Sequence, residues 1–350
     1  MKTILVTGGA GFIGSHTCFC LLEKGSNVVI LDSYINSYPK SIDRVLKINR
    51  SKERKYGKII RYLGDVRDTK ILITIFNDAL DSGNMIDGVI HFAGLKSVNQ
   101  SITHKELYKD VNIRGTKTLI KVMREFNCKK LVFSSSATIY GNSDYSPLKE
   151  DFELNPINPY GETKLAVEEL LEDVFYKDLK TWSIANLRYF NPIGAHQSGL
   201  IGDSPKEFNK NIFPLILDVC IGNLNRIQIF GGDWPTKDGT PVRDYVHVMD
   251  IAEGHICVLE YLFENQQQFF SMNLGTGEGT SVLELISIFE DVNKVKIPYV
   301  FSERRKGDLA SLVADNSFAL SKIDWKPKRD LRKMCKDGWN WKLLNPDGFS

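Results

Sequence analysis

The chain has 350 residues, 42% hydrophobic and 25% charged, the composition of an ordinary folded protein with one large or two average domains. Disordered, collagen-like and disulfide-scaffold architectures are excluded on that ground. With 45 Lys and Arg against 43 Asp and Glu, the net charge of +2 is too small to drive nucleic-acid or membrane binding by itself.

The first residues read as a strand and not as a leader. Ile4, Leu5 and Val6 form a short apolar run that stops at a glycine cluster, without the basic start and longer apolar core of a secretory signal. No run of about 18 apolar residues occurs, so no membrane span is expected. The expectation is a soluble, cytoplasmic protein. Further β-branched runs come at 28–31, 59–62, 89–92 and 131–133, separated by longer helical patterns. Such alternation predicts a parallel sheet with helices on both faces. Residues 183–189 follow one more helix and are expected to extend the sheet.

Residues 1–189 are therefore read as a Rossmann-type, doubly wound α/β domain. After Tyr189 the alternation is broken by Pro192, Gly194, Gly199, Gly202, Pro205 and Pro214. Residues 190–350 are expected to form a smaller mixed α/β domain that binds substrate. It should cap the carboxyl ends of the strands, where open α/β folds take ligands. Segments near 240–265 are expected to pack back on the first domain. Residues 47–61 carry Lys47, Arg50, Lys52, Arg54, Lys55, Lys58 and Arg61. Given the near-zero net charge, a solvated helix face and loop explains them better than a nucleic-acid patch.

At the first strand-to-helix turn, Gly8, Gly11 and Gly14 are spaced Gly-x-x-Gly-x-x-Gly. This widened dinucleotide fingerprint has the same physics as the usual one: a tight turn, close backbone approach to a pyrophosphate, and free N–H groups at a helix N-terminus. Asp32 ends the second run, 18 residues beyond Gly14. An acid there accepts from the adenosine ribose hydroxyls and repels a 2′-phosphate. Ser33 and Tyr34 follow it with no Arg or Lys, so the cofactor is read as NAD and not NADP. Asp65 and Val66, after the third run, are placed to reach the adenine, a plain turn aspartate being the alternative. Phe92, Ala93 and Gly94 would line the cofactor's middle.

Tyr160 and Lys164 are four apart at the start of a helical pattern and so share one face. Such pairs are commonly structural. This one gains meaning from Ser134, Ser135 and Ser136, which end the fifth run at the edge of the presumed cofactor cleft. The set Gly8, Gly11, Gly14, Ser136, Tyr160 and Lys164 resembles the extended short-chain dehydrogenase/reductase family. The strings at 91–96, 134–141, 187–192 and 242–248 are similar to those of its sugar-nucleotide 4-epimerases, and the likeness runs from Lys2 to about Trp341.

The resemblance implies a 4-epimerase that interconverts UDP-galactose and UDP-glucose by transient oxidation at C4 with bound NAD. Tyr160 would be the base, Lys164 would depress its pKa and hold the nicotinamide ribose, and Ser136 would bond the 4′-oxygen. The resemblance further implies cofactor contacts at Phe12, Ile13, Asn36, Lys96, Asn112 and Tyr189. Substrate contacts are implied at Lys96, Asn191, Asn211, Phe230, Arg243, Arg305, Asp308 and Leu312, with Arg243 and Arg305 on the diphosphate and Phe230 on the uracil. Arg304, Lys306 and Gly307 complete the string around Arg305 and Asp308. A homodimer through paired helices is implied as well.

Two relatives are weighed against this. Sugar-nucleotide 4,6-dehydratases carry an Asp-Glu pair just after the catalytic Ser or Thr, whereas Ala137 and Thr138 stand here. A non-catalytic NAD-sensing or RNA-binding relative would have lost Tyr160 or Lys164, and both are present. Leu312 is the one departure. That position holds Tyr in members restricted to plain hexoses and a small residue in those admitting N-acetyl sugars. A UDP-N-acetylglucosamine or dual-specificity 4-epimerase is therefore the alternative.

Cys18, Cys20, Cys128, Cys220, Cys257 and Cys335 form no Cys-x-x-Cys pair and are expected to be reduced. The six histidines show no ligand spacing, so no metal is expected. Leu119, Val122 and Met123 form an apolar stripe that is either core or subunit interface.

Overall fold

The computed structural model describes residues 1–50, 57–141, 146–178, 181–207, 211–305 and 308–350. Lys52, Arg54, Lys55, Lys306 and Gly307 lie outside the described residues. By internal packing the chain divides into two compact units. The first comprises Met1–Asn142, Phe152–Arg188 and Ala252–Met272; the second comprises Ser143–Asp151, Tyr189–Ile251 and Asn273–Ser350. Residues 252–272, well past the expected division at 189, thus pack with the first unit.

The elements begin with strand β1 (Thr3–Thr7), helix α1 (Phe12–Glu23), β2 (Asn27–Asp32), α2 (Pro39–Arg50), β3 (Ile59–Leu63), α3 (Thr69–Asp81) and β4 (Gly88–His91). Short helices α4 (Val98–Thr103) and α5 (Lys105–Tyr108) lead through a π-helical turn (Lys109–Arg114) into α6 (Gly115–Glu125). Strand β5 (Lys130–Ser136), a 3-10 turn (Ala137–Tyr140), α7 (Pro159–Lys177) and β6 (Ser183–Tyr189) follow. Next come β7 (Asn191–Ile193), α8 (Ile212–Cys220), β8 (Ile227–Phe230), β9 (Val242–Arg243), β10 (Tyr245–His247), α9 (Val248–Glu264) and β11 (Phe269–Leu274). The chain ends with β12 (Thr280–Ser281), α10 (Val282–Asn293), β13 (Tyr299–Ser302), β14 (Ser311–Leu312), α11 (Ser317–Ile323) and α12 (Leu331–Leu344).

The first unit is built on a seven-stranded sheet of order β11-β6-β5-β4-β1-β2-β3. The pairs β1–β2, β2–β3, β1–β4 and β4–β5 are parallel, each strand connected to the next through helices as the alternation predicts. Central strands β1 and β4 are buried along their whole length, which is why their sequences are continuous apolar runs and not alternating ones. Leu119, Val122 and Met123 of α6 lie in this core against Leu5, Val89 and Leu131, so the apolar stripe is core.

The order reverses at β1, whose neighbours are β2 and β4. That reversal opens the crevice in which folds of this class bind ligands. Of the basic stretch, Arg61 on β3 pairs with Asp43 of α2 on the surface.

The second unit has its own core, in which Phe213 and Ile216 of α8 meet Ile227, Leu285, Phe289 and Met334. Small sheets frame it: β7 with β10, β8 with β13, and β12-β9-β14. Helix α10 starts with a full capping box, Ser281 and Glu284 satisfying each other's backbone N–H groups. All six cysteines are free thiols, and the described residues hold no cluster of His, Cys, Asp or Glu able to bind a metal.

Candidate active site

The glycine-rich turn after β1 is shaped by two close approaches. Gly8 has φ of +71°, and a Cβ there would sit 2.7 Å from the Ala93 nitrogen. A Cβ on Gly14 would sit 2.4 Å from the Gly8 carbonyl oxygen. Only glycines let the loop fold back this tightly. Gly11 caps α1 without a side-chain hydrogen bond, and the first turn carries no acid. The helix thus presents its positive end uncompensated. Phe12 and Ile13 are half-buried in that turn, with Phe12 edge-on to His16.

Asp32, at the end of β2, is fixed by three donors: Ala10 N (2.9 Å), Tyr34 N (2.9 Å) and Ser37 Oγ (2.8 Å). A carboxylate accepts about four hydrogen bonds, so one lone pair remains for a hydroxyl. Asn36 is half-buried in the same loop. Asp65 is forked by Arg67, Nη2 to Oδ2 at 2.6 Å and Nε to Oδ1 at 2.9 Å, and the guanidinium holds its carboxyl below the usual range. Its Oδ1 also accepts from the Arg67 backbone N–H at 2.8 Å, the bond of a turn aspartate. Val66 turns its side chain into the core.

Phe92 and Ala93 leave β4 with both N–H groups on the Thr7 carbonyl (2.9 and 3.1 Å), beside the exposed Gly94 and Lys96. Asn112, in the π-helical turn, spends its amide on structure. It accepts from Leu95 N (2.8 Å) and donates to Leu95 O (3.1 Å) and Thr163 Oγ1 (3.0 Å). It therefore staples the loop after β4 to α7, a role no local pattern announces.

Strand β5 delivers Ser136, whose Oγ accepts from Thr138 N (3.2 Å) and Thr138 Oγ1 (3.0 Å). Helix α7 starts sharply because Asn158 accepts from Gly161 N (2.9 Å) and Pro159 fills the first position. That start puts Tyr160 in the first turn and Lys164 one turn on. The Ser136 hydroxyl acts on the Tyr160 phenol and favours its ionised form. The Lys164 ammonium donates to the Ser134 carbonyl at 2.6 Å and lies 5.8 Å from the centre of the Tyr160 ring. The three residues are thus brought together.

Burial dominates their electrostatics. It pushes Tyr160 up to about 12 against the opposing Ser136 bond, and brings Lys164 down to about 8 against the attraction of Glu168. Nearby His91 is driven to about 3 by burial and by Lys164, so it is neutral between the hydroxyls of Thr7 and Thr116.

In the second unit, Leu312 on β14 lies directly opposite Arg243 on β9. The Arg243 guanidinium donates to the carbonyls of Val242 (2.8 Å) and Leu309 (2.9 Å) and feels the charge of Asp308. Asp244, not singled out from the sequence, braces this place by accepting from Thr276 N and Oγ1, Gly277 N and Ala314 N. Phe230 ends β8, and the Arg305 guanidinium stacks 3.6 Å from its ring centre. Asn191 begins β7, with its N–H on the Asp244 carbonyl at 3.0 Å. Tyr189 is buried, and Asn211 stands exposed before α8.

The family model described as GDP-mannose 4,6 dehydratase matches residues 5–338. UDP-glucose 4-epimerase 4 of Oryza sativa subsp. japonica is 46% identical over 349 residues, covering 100% of this chain and 92% of the relative. UDP-glucose 4-epimerase of Bacillus subtilis (strain 168) is 45% identical over 347 residues, covering 99% and 98%. The crystal structure of the enzyme of that name from Stenotrophomonas maltophila, with bound NAD and formylated UDP-arabinopyranose, superposes with a TM-score of 0.92 at 43% identity, 99% of each chain being covered.

Proposed function

The chain belongs to the UDP-glucose 4-epimerase family of extended short-chain dehydrogenase/reductases, and from that premise we propose how its residues carry out the family's reaction. It interconverts UDP-galactose and UDP-glucose with NAD held as a resident cofactor. The observation that carries the reading is the meeting of Ser136, Tyr160 and Lys164 in one unit with a dinucleotide loop.

That loop fits NAD. Its backbone turns so tightly that a Cβ at Gly14 would collide with the Gly8 carbonyl, and Asp32 keeps an acceptor for a ribose hydroxyl with no cation among its partners. Bound there, NAD supplies a hydride acceptor for C4 and a fixed positive charge. Tyr160, as phenolate, takes the proton of the 4′-hydroxyl and later returns it. Ser136 bonds the 4′-oxygen and passes the proton. Lys164 stays an ammonium, anchored on the Ser134 carbonyl, and stabilises the phenolate. Arg243 and Arg305 hold the diphosphate, with Asp308 on the uridine ribose. Phe230 packs on the base once Arg305 has left its ring. Ala137 and Thr138 offer no acid and base for dehydration.

Proton NMR of the purified protein with UDP-galactose and no added NAD should show UDP-glucose accumulating. No conversion even after NAD is supplied would overturn the reading.

Gly14→Ala should purify with little or no NAD, because its methyl group meets the Gly8 carbonyl at 2.4 Å. Acid-released cofactor measured by absorbance checks this, and an unchanged content removes the loop from the site. Plain hexoses are the substrates that the curated relatives' names indicate. Leu312→Tyr should leave UDP-galactose turnover within about twofold and lower any turnover of UDP-N-acetylglucosamine, as expected when a larger side chain narrows a pocket. An unchanged ratio of the two rates removes Leu312 as a gate.

The active species is a homodimer in this reading, supported by the exposed apolar side chains of Ile102 on α4 and Leu107 on α5. Sedimentation equilibrium should give twice the chain mass. Among the described residues no helix is long and apolar enough to cross a membrane, which supports a cytoplasmic location.

A further inference from the structure

Within the first unit, and unused by the chemistry above, lies a buried polar cluster centred on Glu168. Ser135 Oγ and Arg188 Nε donate to its Oε1 (2.5 and 3.1 Å). Arg188 Nη2 and Ser271 Oγ donate to Oε2 (2.7 and 3.1 Å). Arg188 donates also to the Tyr140 hydroxyl (3.0 Å), and Asn186 Nδ2 to Ser271 Oγ (3.1 Å). The side chains of Arg188 and Glu168 are only 4% and 6% exposed.

A buried ion pair is a poor source of stability, because desolvation cancels most of its attraction and apolar residues of equal volume serve as well. Its position points to another use. Glu168 is one turn beyond Lys164 on the same face of α7, and Ser135 immediately precedes Ser136 on β5. Tyr140 closes the 3-10 turn that Ser136 caps. One carboxylate on the helix therefore grips the strand directly, and through Arg188 it reaches the turn, so that it ties together the elements on which the reacting groups are mounted.

We propose that Glu168 is a positioning residue for the epimerase reaction: its carboxylate locks β5 against α7 so that Ser136 meets Tyr160, and it sets a negative charge one turn from the Lys164 ammonium. The proposal rests on the epimerase reading given above. Among the described groups facing Lys164, His91 on β4 is neutral, Tyr160 shares its helix, and the Ser134 carbonyl on β5 is uncharged. Glu168 is the charge that supports the ammonium, while Arg188 on β6 and Tyr140 complete Glu168's own surroundings.

The test compares kcat against pH for the wild-type holoenzyme, Glu168→Asp, Glu168→Gln, and Glu168→Gln combined with Arg188→Met, which leaves no buried cation unpaired. Both glutamine variants should lose activity at lower pH than wild type, the alkaline limb moving down by about one unit. Their NAD content should be unchanged, and Glu168→Asp should restore the limb. A folded glutamine variant with the wild-type limb overturns the proposal, whatever its stability.

If neither glutamine variant folds, Ser135→Ala decides, since it removes one neutral hydrogen bond from the cluster. A fall in kcat of about threefold to tenfold at unchanged KM supports the locking role, and an unchanged kcat overturns it. Wild-type conversion in the same assay checks the epimerase reading separately.

Discussion

Tyr160→Phe should lower UDP-galactose turnover by about 10²–10⁴-fold while NAD and UDP stay bound. The hydroxyl lost is the group that meets Ser136, and the described neighbours are committed elsewhere. His91 is neutral and held between two hydroxyls, and Lys164 is committed to the Ser134 carbonyl. Removing the hydroxyl deletes a proton acceptor without opening the fold, because the ring keeps its place on the first turn of α7. The chain alone leaves the phenol near 12, so working near neutral pH requires a shift of about 5 units, worth about 7 kcal/mol. The value near 12 already includes the opposing pull of Ser136, so the fixed charge of bound NAD must supply the shift. Turnover by NMR and released cofactor by absorbance check the prediction together. Near-normal turnover would remove Tyr160 from the base role.

The same electrostatics show what the sequence could and could not reveal. Strands β1, β2, β4 and β5 are legible because burial on both faces writes itself as an apolar run. The glycines are legible because a tight turn excludes every other side chain. Tyr160 and Lys164 needed more than their spacing: Ser136 ending a strand, and the long strings of family likeness. The Arg67 fork on Asp65 was open to view two residues away. By contrast, β11 joins the sheet edge beside β6 from some 80 residues further along, with no local mark of its partner.

Glu168 on α7 and Arg188 on β6 are charged residues at buried positions, and the helix and strand patterns show that conflict without showing its resolution. Asn112 is equally silent, its amide being spent on a loop and a helix distant in sequence. The net effect on Tyr160 also eludes a residue list. Burial, which only the fold defines, outweighs the pull of Ser136.

Lys164→Met should abolish most turnover, about 10²–10³-fold, and yet yield a protein no less stable than wild type. The reason is the sign of the lysine's own shift. Burial brings Lys164 down to about 8 from an ordinary value of 10.5, so between those values the unfolded chain binds more protons than the folded one. Stability therefore rises with pH through that window. Below pH 8 both states are protonated and the full penalty remains, about 3 kcal/mol at about 1.4 kcal/mol per unit. Activity runs the other way, because the ammonium that stabilises the phenolate is lost above pH 8. Urea unfolding at pH 7.5 and 9.5 separates the two effects. Relative to Lys164→Met, wild type should gain about 2 kcal/mol between those pH values, while its turnover declines over the same interval. Equal pH slopes for the two proteins would show that Lys164 is not the buried cation whose cost the site bears for its chemistry.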